Sequence, residues 1–277
     1  MPEQLLVGRT ALVTGASRGI GAVIAERFAA EGAAVAVTAR TVERGVHPLP
    51  GTITETVDRI AAAGGRAVAI AADLALPEDR ERLVGEAEGA LGPIDILVNN
   101  GAITYFAPIR EFSEKRRQLM FDVQVFAPMD LARLVLPGMI SAGQGWILNI
   151  SSGAARHPEL PPDPARAVGG TVYGMVKASL ERLTTGLAAE MWDANVAVNA
   201  LSPNLVVPTP GTVFHNLVRP DDPDQVVEPP EVMAGAALAL CSRPPRSLTG
   251  RIAYSRDLLD ELGIPAPPPQ PAAQVRP

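Results

Sequence analysis

The chain has 277 residues, 47% hydrophobic and 19% charged, which fits a globular protein with one sizeable core. A formal net charge of -6 offers no extended positive surface for nucleic acid, and the single cysteine, Cys241, excludes an internal disulfide. No apolar run is long enough to span a bilayer and the N-terminus lacks a signal-peptide pattern, so we expect a cytoplasmic protein without a membrane partner.

Short aliphatic runs alternate with segments of helical periodicity as far as about residue 200. The runs are continuously apolar, as in buried parallel strands, and occupy residues 10–14, 33–38, 67–71, 94–98, 146–150 and 196–201. Apolar spacings of three and four predict helices over residues 20–30, 52–63, 77–91, 114–141 and 171–192. This order predicts an α/β fold, a Rossmann-type doubly wound parallel sheet in a single three-layer α/β/α domain.

Two segments interrupt the alternation. Residues 154–170 carry four prolines between a strand and a helix, which predicts an irregular excursion near an active site. Prolines also crowd residues 265–271, where no apolar period survives. We therefore assign residues 1–262 to the domain and residues 263–277 to a Pro-rich tail, which is either flexible or extended over a neighbouring molecule.

A glycine-rich turn directly follows the first strand, where residues 14–21 read TGASRGIG. Glycines at a strand-to-helix turn permit positive φ, let the backbone approach a pyrophosphate, and direct helix N–H groups at its charge. The alternative is a tight turn without a ligand. The candidate cofactor-binding residues of this turn are Gly15, Ser17, Arg18, Gly19, Ile20 and Gly21.

The spacing of these glycines resembles the TGxxxGIG motif of the short-chain dehydrogenase/reductase family. Asp73 and Leu74 are similar to the family's adenine-binding acidic residue and its neighbour, and residues 99–102 resemble its NNAG motif with the last two residues exchanged. The resemblance covers residues 7–255. It implies a nicotinamide cofactor, contacts from Asn99 and Gly101, and a homodimer or homotetramer built through residues 114–141 and 171–192.

The end of the second strand bears on the choice of cofactor. Many dinucleotide folds place a carboxylate there for the ribose of NAD, whereas this chain has Ala39 and Arg40. Two guanidiniums, Arg18 and Arg40, can grip a 2′-phosphate, which favours NADP(H) over NAD(H). The alternative is that both arginines are solvated or stack on adenine.

The strongest chemical signal is the pair Tyr173 and Lys177. Their spacing places phenol and ammonium on one helix face, where the lysine is expected to lower the tyrosine pKa toward the range of a general acid/base. The family resemblance implies that Tyr173 exchanges a proton with the substrate oxygen and that Lys177 also binds the nicotinamide ribose. It further implies that Ser152, preferred over Ser151, holds the substrate carbonyl.

Three departures from the family pattern accompany these matches. Gln124 stands where family members commonly have an asparagine that helps to hold a water of the proton relay from the lysine to solvent. Asn204 replaces the family's glycine after Pro203. An asparagine tolerates left-handed backbone, so we expect the turn to survive and Val206 to contact the nicotinamide carboxamide. The separation of Ser152 from Tyr173 exceeds the family's usual dozen residues, which requires an insertion that loops outward.

We therefore predict an NAD(P)-dependent enzyme that transfers hydride between its cofactor and a small-molecule alcohol or ketone. Residues 50–53, which read PGTI, and the long excursion before Tyr173 resemble the hydroxysteroid-dehydrogenase-like branch of the family. This resemblance suggests a bulky, apolar substrate, with Phe214, Leu217 and Val218 lining its pocket. A small polar carbonyl compound is the alternative substrate. The alternative is a catalytically weakened dinucleotide-binding sensor or scaffold. The three histidines lie far apart in sequence, and no metal site is expected.

Overall fold

A parallel sheet forms the middle layer of the protein, which a computed structural model describes over residues 4–161, 169–219 and 221–274. Within those ranges the sheet has seven strands in the order β3-β2-β1-β4-β5-β6-β8. Its strands are β1 Thr10–Thr14, β2 Ala34–Ala39, β3 Arg66–Ala71, β4 Ile96–Asn99, β5 Gly145–Ile150, β6 Val196–Ser202 and β8 Ile252–Tyr254. This arrangement confirms the doubly wound Rossmann-type fold.

Helices cover both faces of the sheet. They are α1 Gly19–Ala30, α2 Ile53–Ala62, α3 Pro77–Leu91, α4 Glu114–Phe121, α5 Ala127–Ala142, α6 Thr171–Glu190, α7 Pro210–Phe214, α8 Pro230–Ser242 and α9 Ser255–Glu261. One turn of π-helix, Asp122–Phe126, separates α4 from α5 within the segment predicted as a single helix. Among the described residues, no helix has both the length and the apolarity needed to cross a membrane.

Continuous apolar strands bury both faces of the sheet. Ala11 and Val13 face a core that contains Phe28 of α1, whereas Leu12 faces the opposite core with Leu83 of α3. All five side chains are fully buried, each large aliphatic or aromatic one contributing about 2 kcal/mol. Two cores on one sheet explain why these strands lack a polar face.

The C-terminal segment returns to its own chain. Strand β9, Gln270–Pro271, pairs antiparallel with β7, Val226–Val227. Ala272 is buried against Val218 and Val227 in a small separate cluster. Residues 270–274 thus pack against the same molecule, at a place where the sequence predicted a flexible tail or an extended strap over a neighbour. Residues 275–277 lie outside the described part.

Candidate active site

A cleft of about 920 Å³ opens at the carboxyl ends of the strands. Strand β1 pairs with β2 on one side and with β4 on the other, so successive connections leave in opposite directions at this point. Ligands of open α/β sheets bind at such a reversal. The glycine-rich turn lines one part of the cleft, and Ser152, Tyr173 and Lys177 line another.

The glycine-rich turn fits an anionic ligand. Helix α1 begins at Gly19, and the residue before it, Arg18, makes no capping hydrogen bond through its side chain, which suits phosphate binding by the first N–H groups. Gly15 has φ +63 and lies against Gly101, where a Cβ would come within 2.7 Å of the Gly101 Cα. A Cβ at Gly21 would lie 2.4 Å from the Asn100 side-chain nitrogen. Gly21 thus serves the packing of the turn and does not line the cleft.

Of the residues at the end of β4 and directly after it, some pack beneath the cleft and others line it. Asn99 is buried and donates from its side chain to Asn149 at 2.9 Å, so it lies beneath the cleft and not in its wall. The wall is formed instead by Asn100 and Gly101. Asn100 holds the glycine turn by donating to the Thr14 carbonyl at 2.9 Å. Contact of Asn99 with the cofactor stays a prediction, and its side chain is occupied by the neighbouring residue of β5, Asn149.

Charged residues stand at the far end of the cleft. Arg18 and Arg40 both line it, as do Asp73 and Leu74 after β3. The Arg40 guanidinium lies 3.7 Å from the Asp73 carboxylate and remains half-exposed. The pKa of Arg18 is lowered by burial and by the neighbouring charge of Arg40. This end of the cleft is therefore positive and only partly neutralised.

Helix α6 brings Tyr173 to Ser152 despite their separation in sequence. Residues 162–168 of the proline-rich excursion between them lie outside the described ranges. Gly174 permits the close approach, because a Cβ there would lie 2.8 Å from the Ala154 carbonyl oxygen. The Ser152 side chain interacts with the Tyr173 phenol, whereas Ser151 donates to Glu181 at 2.7 Å. Of the two serines, Ser152 is therefore the one beside the tyrosine.

Lys177 lies one helical turn beyond Tyr173 and is 3% exposed. Its Nζ donates to the Ile150 carbonyl at 2.8 Å and lies 5.7 Å from the centre of the Tyr173 ring. Burial lowers the pKa of Lys177 from 10.5 to about 8, with Glu181 opposing the change. Burial likewise raises the pKa of the Tyr173 phenol, and the Ser152 hydrogen bond opposes it. The lysine was expected to lower that pKa, whereas in the protein alone burial of the phenol raises it.

Gln124 does not reach the cleft. It lies in the π-helical turn, is buried, and donates through Nε2 to the Ile103 carbonyl at 2.8 Å, while its Oε1 has no hydrogen-bond partner. Its extra methylene, compared with asparagine, lets it span from the turn to the loop after β4. The place of Gln124 in a proton relay stays a prediction, and its link to the site runs through Ile103, which lines the cleft.

The turn after β6 is stabilised in an unexpected way. Asn204 does not adopt the left-handed backbone that was expected. Its Oδ1 accepts from the Arg256 N–H at 2.8 Å and its Nδ2 donates to Asp257 at 2.9 Å, so it caps the start of α9. Pro203 and Val206 line the cleft, and the Val206 carbonyl accepts from the Glu228 N–H at 3.0 Å. The asparagine thus anchors this loop to α9.

Comparison with known proteins shows the family of this chain. The short chain dehydrogenase family pattern matches residues 9–216. The chain belongs to this family. Hydroxysteroid dehydrogenase-like protein 2 of Xenopus laevis is 32% identical over 260 residues, covering 94% of this chain and 59% of that protein. The chain spans about three fifths of the length of the curated relatives it matches.

Two solved structures of short-chain dehydrogenases superimpose well on the chain. A short chain dehydrogenase from Mycobacterium thermoresistibile is 34% identical, with a TM-score of 0.80 over 94% of this chain and 89% of that one. A metagenomic short-chain oxidoreductase in complex with NADP is 29% identical, with a TM-score of 0.73 over 90% of this chain and 98% of that one. Both are similar to this chain across nearly all of the sheet and its helices.

Several residues of this short-chain dehydrogenase's cleft carry no motif that would reveal them in the sequence. Phe106 meets the Tyr173 ring edge-on at 5.8 Å between centroids, and His215 meets Phe106 at 6.1 Å. His47 lines the cleft beside Arg18. Each comes from a loop, and only the fold brings these loops together.

Two further expectations concern the cleft wall and the histidines. Phe214 and Leu217 line the cleft as predicted, but Val218 is buried against β7 and the C-terminal segment. Val218 faces away because it follows the end of α7 and packs beneath it. Within the described ranges, no three His, Cys, Asp or Glu side chains are grouped to hold a metal.

Proposed function

We propose that this protein is an NAD(P)-dependent oxidoreductase that transfers hydride between its cofactor and an alcohol or ketone, with Tyr173 exchanging the proton. The observation that carries the proposal is the grouping of Tyr173, Lys177 and Ser152 in one cleft with an uncapped glycine-rich helix N-terminus. A phenol that meets a serine hydroxyl beside a buried ammonium suits general acid/base catalysis, which a cleft that only binds a nucleotide does not need.

A bound nicotinamide dinucleotide supplies or accepts the hydride. In the reducing direction Ser152 donates a hydrogen bond to the substrate carbonyl oxygen, and Tyr173 delivers its proton to that oxygen as hydride reaches the carbon. Lys177 stabilises the phenolate left behind. With a pKa of about 8, the lysine is mostly charged at neutral pH, which places a positive charge near the phenol.

The residues expected to hold the cofactor extend from Arg18 and Arg40 to Val206. The half-exposed Arg40 and the absence of a carboxylate at the end of β2 favour NADP(H), and a relative's structure contains NADP. Titration with NADPH and NADH, followed by cofactor fluorescence, tests this preference. We expect Arg40→Asp to remove it, and equal affinities in the wild type would contradict the assignment.

The substrate we infer is bulky and apolar. The cleft beyond Tyr173 is walled by Tyr105, Phe106, Phe214, Leu217 and Val206, and Phe106 and Phe214 are both exposed. Aromatic and aliphatic walls favour a ligand with large apolar area. Resemblance to a hydroxysteroid dehydrogenase-like protein supports the same class. A panel of steroid, fatty and small polar ketones would rank these substrates by kcat/KM.

Tyr173→Phe separates an enzyme from a cofactor-binding sensor or scaffold. The variant removes the proton donor but keeps the ring against Phe106, so cofactor affinity should stay unchanged while turnover falls at least about a hundredfold. A wild-type protein that binds the cofactor but shows no turnover on any ketone or alcohol of the panel would favour the sensor or scaffold.

Self-association through the helices of residues 114–141 and 171–192 is part of the proposal. Phe126, Met129 and Ile140 present exposed apolar side chains on that face, and α5 and α6 border a shallow groove there. Apolar exposure on neighbouring helices is typical of an isologous interface with a second copy.

A further inference from the structure

The loop of residues 41–52, between β2 and α2, is closely attached to the glycine-rich turn. The Thr41 carbonyl accepts from the Ile53 N–H at 3.0 Å, which closes the base of this loop. At its end, Gly51 has φ +99, and a Cβ there would lie 2.6 Å from the Ser17 carbonyl oxygen. The loop therefore rests directly on the turn that is expected to bind the cofactor.

Arg18 joins the turn to this loop through three hydrogen bonds. Its Nη2 donates to Thr41 Oγ1 and to the Gly51 carbonyl, each at 2.9 Å, and its Nη1 lies 2.9 Å from His47 Nδ1. The guanidinium carries only donors, so the His47 ring must accept in this contact. Three acceptors from one loop fix the position of the guanidinium at the edge of the cleft.

The hydrogen bonds of His47 also define its protonation state. The Leu49 N–H donates to the same Nδ1 at 3.1 Å, so two donors point at this nitrogen. The ring proton must then lie on Nε2, which makes His47 neutral. Burial and the nearby charges of Arg18 and Arg40 lower the pKa of His47, which agrees with a neutral ring.

We propose that His47 is a positioning residue for cofactor selection: its Nδ1 holds the Arg18 guanidinium where a 2′-phosphate would bind, at the end of β2. His47, Arg18, Arg40 and Thr41 all line the cleft at this end. The inference rests on the proposed preference for NADP(H). His47 lies outside the family motifs, and its proposed role is to keep the Arg18 guanidinium oriented. The charge of Arg18 is then available to the cofactor without reorganisation of the side chain on binding.

Dissociation constants of NADPH and NADH for the wild type and variants test this role. His47→Ala should weaken NADPH about tenfold, as expected for loss of one hydrogen bond to a charged group, and leave NADH within about twofold. His47→Asn should keep most of the preference, because the asparagine oxygen can take the place of Nδ1. His47→Gln, which extends toward the Nε2 position, should behave as alanine does. His157→Ala, at an exposed histidine outside the cleft wall, is the matched control.

A double-mutant cycle shows whether His47 acts through Arg18. If it does, Arg18→Ala lowers the NADPH preference and adding His47→Ala lowers it no further. Additive losses in the cycle, or an unchanged preference in His47→Ala with a native circular-dichroism spectrum, would overturn the inference. If the wild type itself binds NADH as tightly as NADPH, the proposed cofactor preference fails instead.

Discussion

Replacing Lys177 by methionine removes a buried charge while keeping a side chain of similar length. Burial lowers the pKa of Lys177 from 10.5 to about 8. A shift of this size means that burying the charged lysine lowers the free energy of unfolding by about 3 kcal/mol. The folded pKa is depressed, so the unfolded lysine keeps its proton between about pH 8 and pH 10.5 while the folded one has released it. This lysine therefore makes stability rise with pH across that window.

Urea unfolding of wild type and Lys177→Met at several pH values measures the effect. The advantage of the variant should shrink by about 3 kcal/mol as pH rises from neutrality to about 10. Burial also raises the pKa of Cys241, which destabilises the protein in alkali, but this group is present in both proteins and cancels in the difference. Tyr173 lies beside Lys177, so the same comparison in a Tyr173→Phe background removes the contribution of the phenol. A difference that stays flat across this range would refute the buried, low-pKa lysine.

Three further predictions concern the helices around the site. Gly174→Ala should lower kcat several-fold, because the added methyl would lie 2.8 Å from the Ala154 carbonyl oxygen and push α6 away from Ser152. Gly186→Ala in the same helix is the control, since its methyl would meet only the flexible Arg182 guanidinium. Asn204→Ala should lower the free energy of unfolding by about 1 kcal/mol through loss of the α9 cap, and unchanged chemical denaturation would contradict that role. Met129→Arg should weaken self-association in analytical ultracentrifugation if α5 and α6 form the interface, whereas an unchanged sedimentation coefficient would place it elsewhere.

Prediction from sequence worked best where the signal is local. Apolar runs located six strands of the sheet, and helical spacing located α3 at its observed ends, Pro77–Leu91. It missed β8, whose three residues are too short to show a period, and the π-helical turn within the segment predicted as one helix. It also missed α8, which is apolar on most of its surface and therefore shows no amphipathic spacing.

Residues that belong to the sequence motifs do not all lie in the cleft. Tyr173 and Lys177 lie together in the cleft because four residues along a helix return to the same face. Asn99 and Gly21 belong to the same kind of motif, yet they pack beneath the cleft and hold its wall in place. A sequence motif records both kinds of residue without distinguishing them.

The sequence by itself determined the parallel α/β fold, the glycine-rich turn and the spacing of the Tyr173–Lys177 pair, because each shows in a local pattern of residue types: apolar runs, helical spacings and short motifs. Only the tertiary structure decided which loops meet: His47 with Arg18, Phe106 with Tyr173, and the C-terminal segment with β7. In each contact at least one partner comes from an irregular segment, whose sequence shows no helical or strand periodicity. Their partners are set by where the sheet and helices end in space.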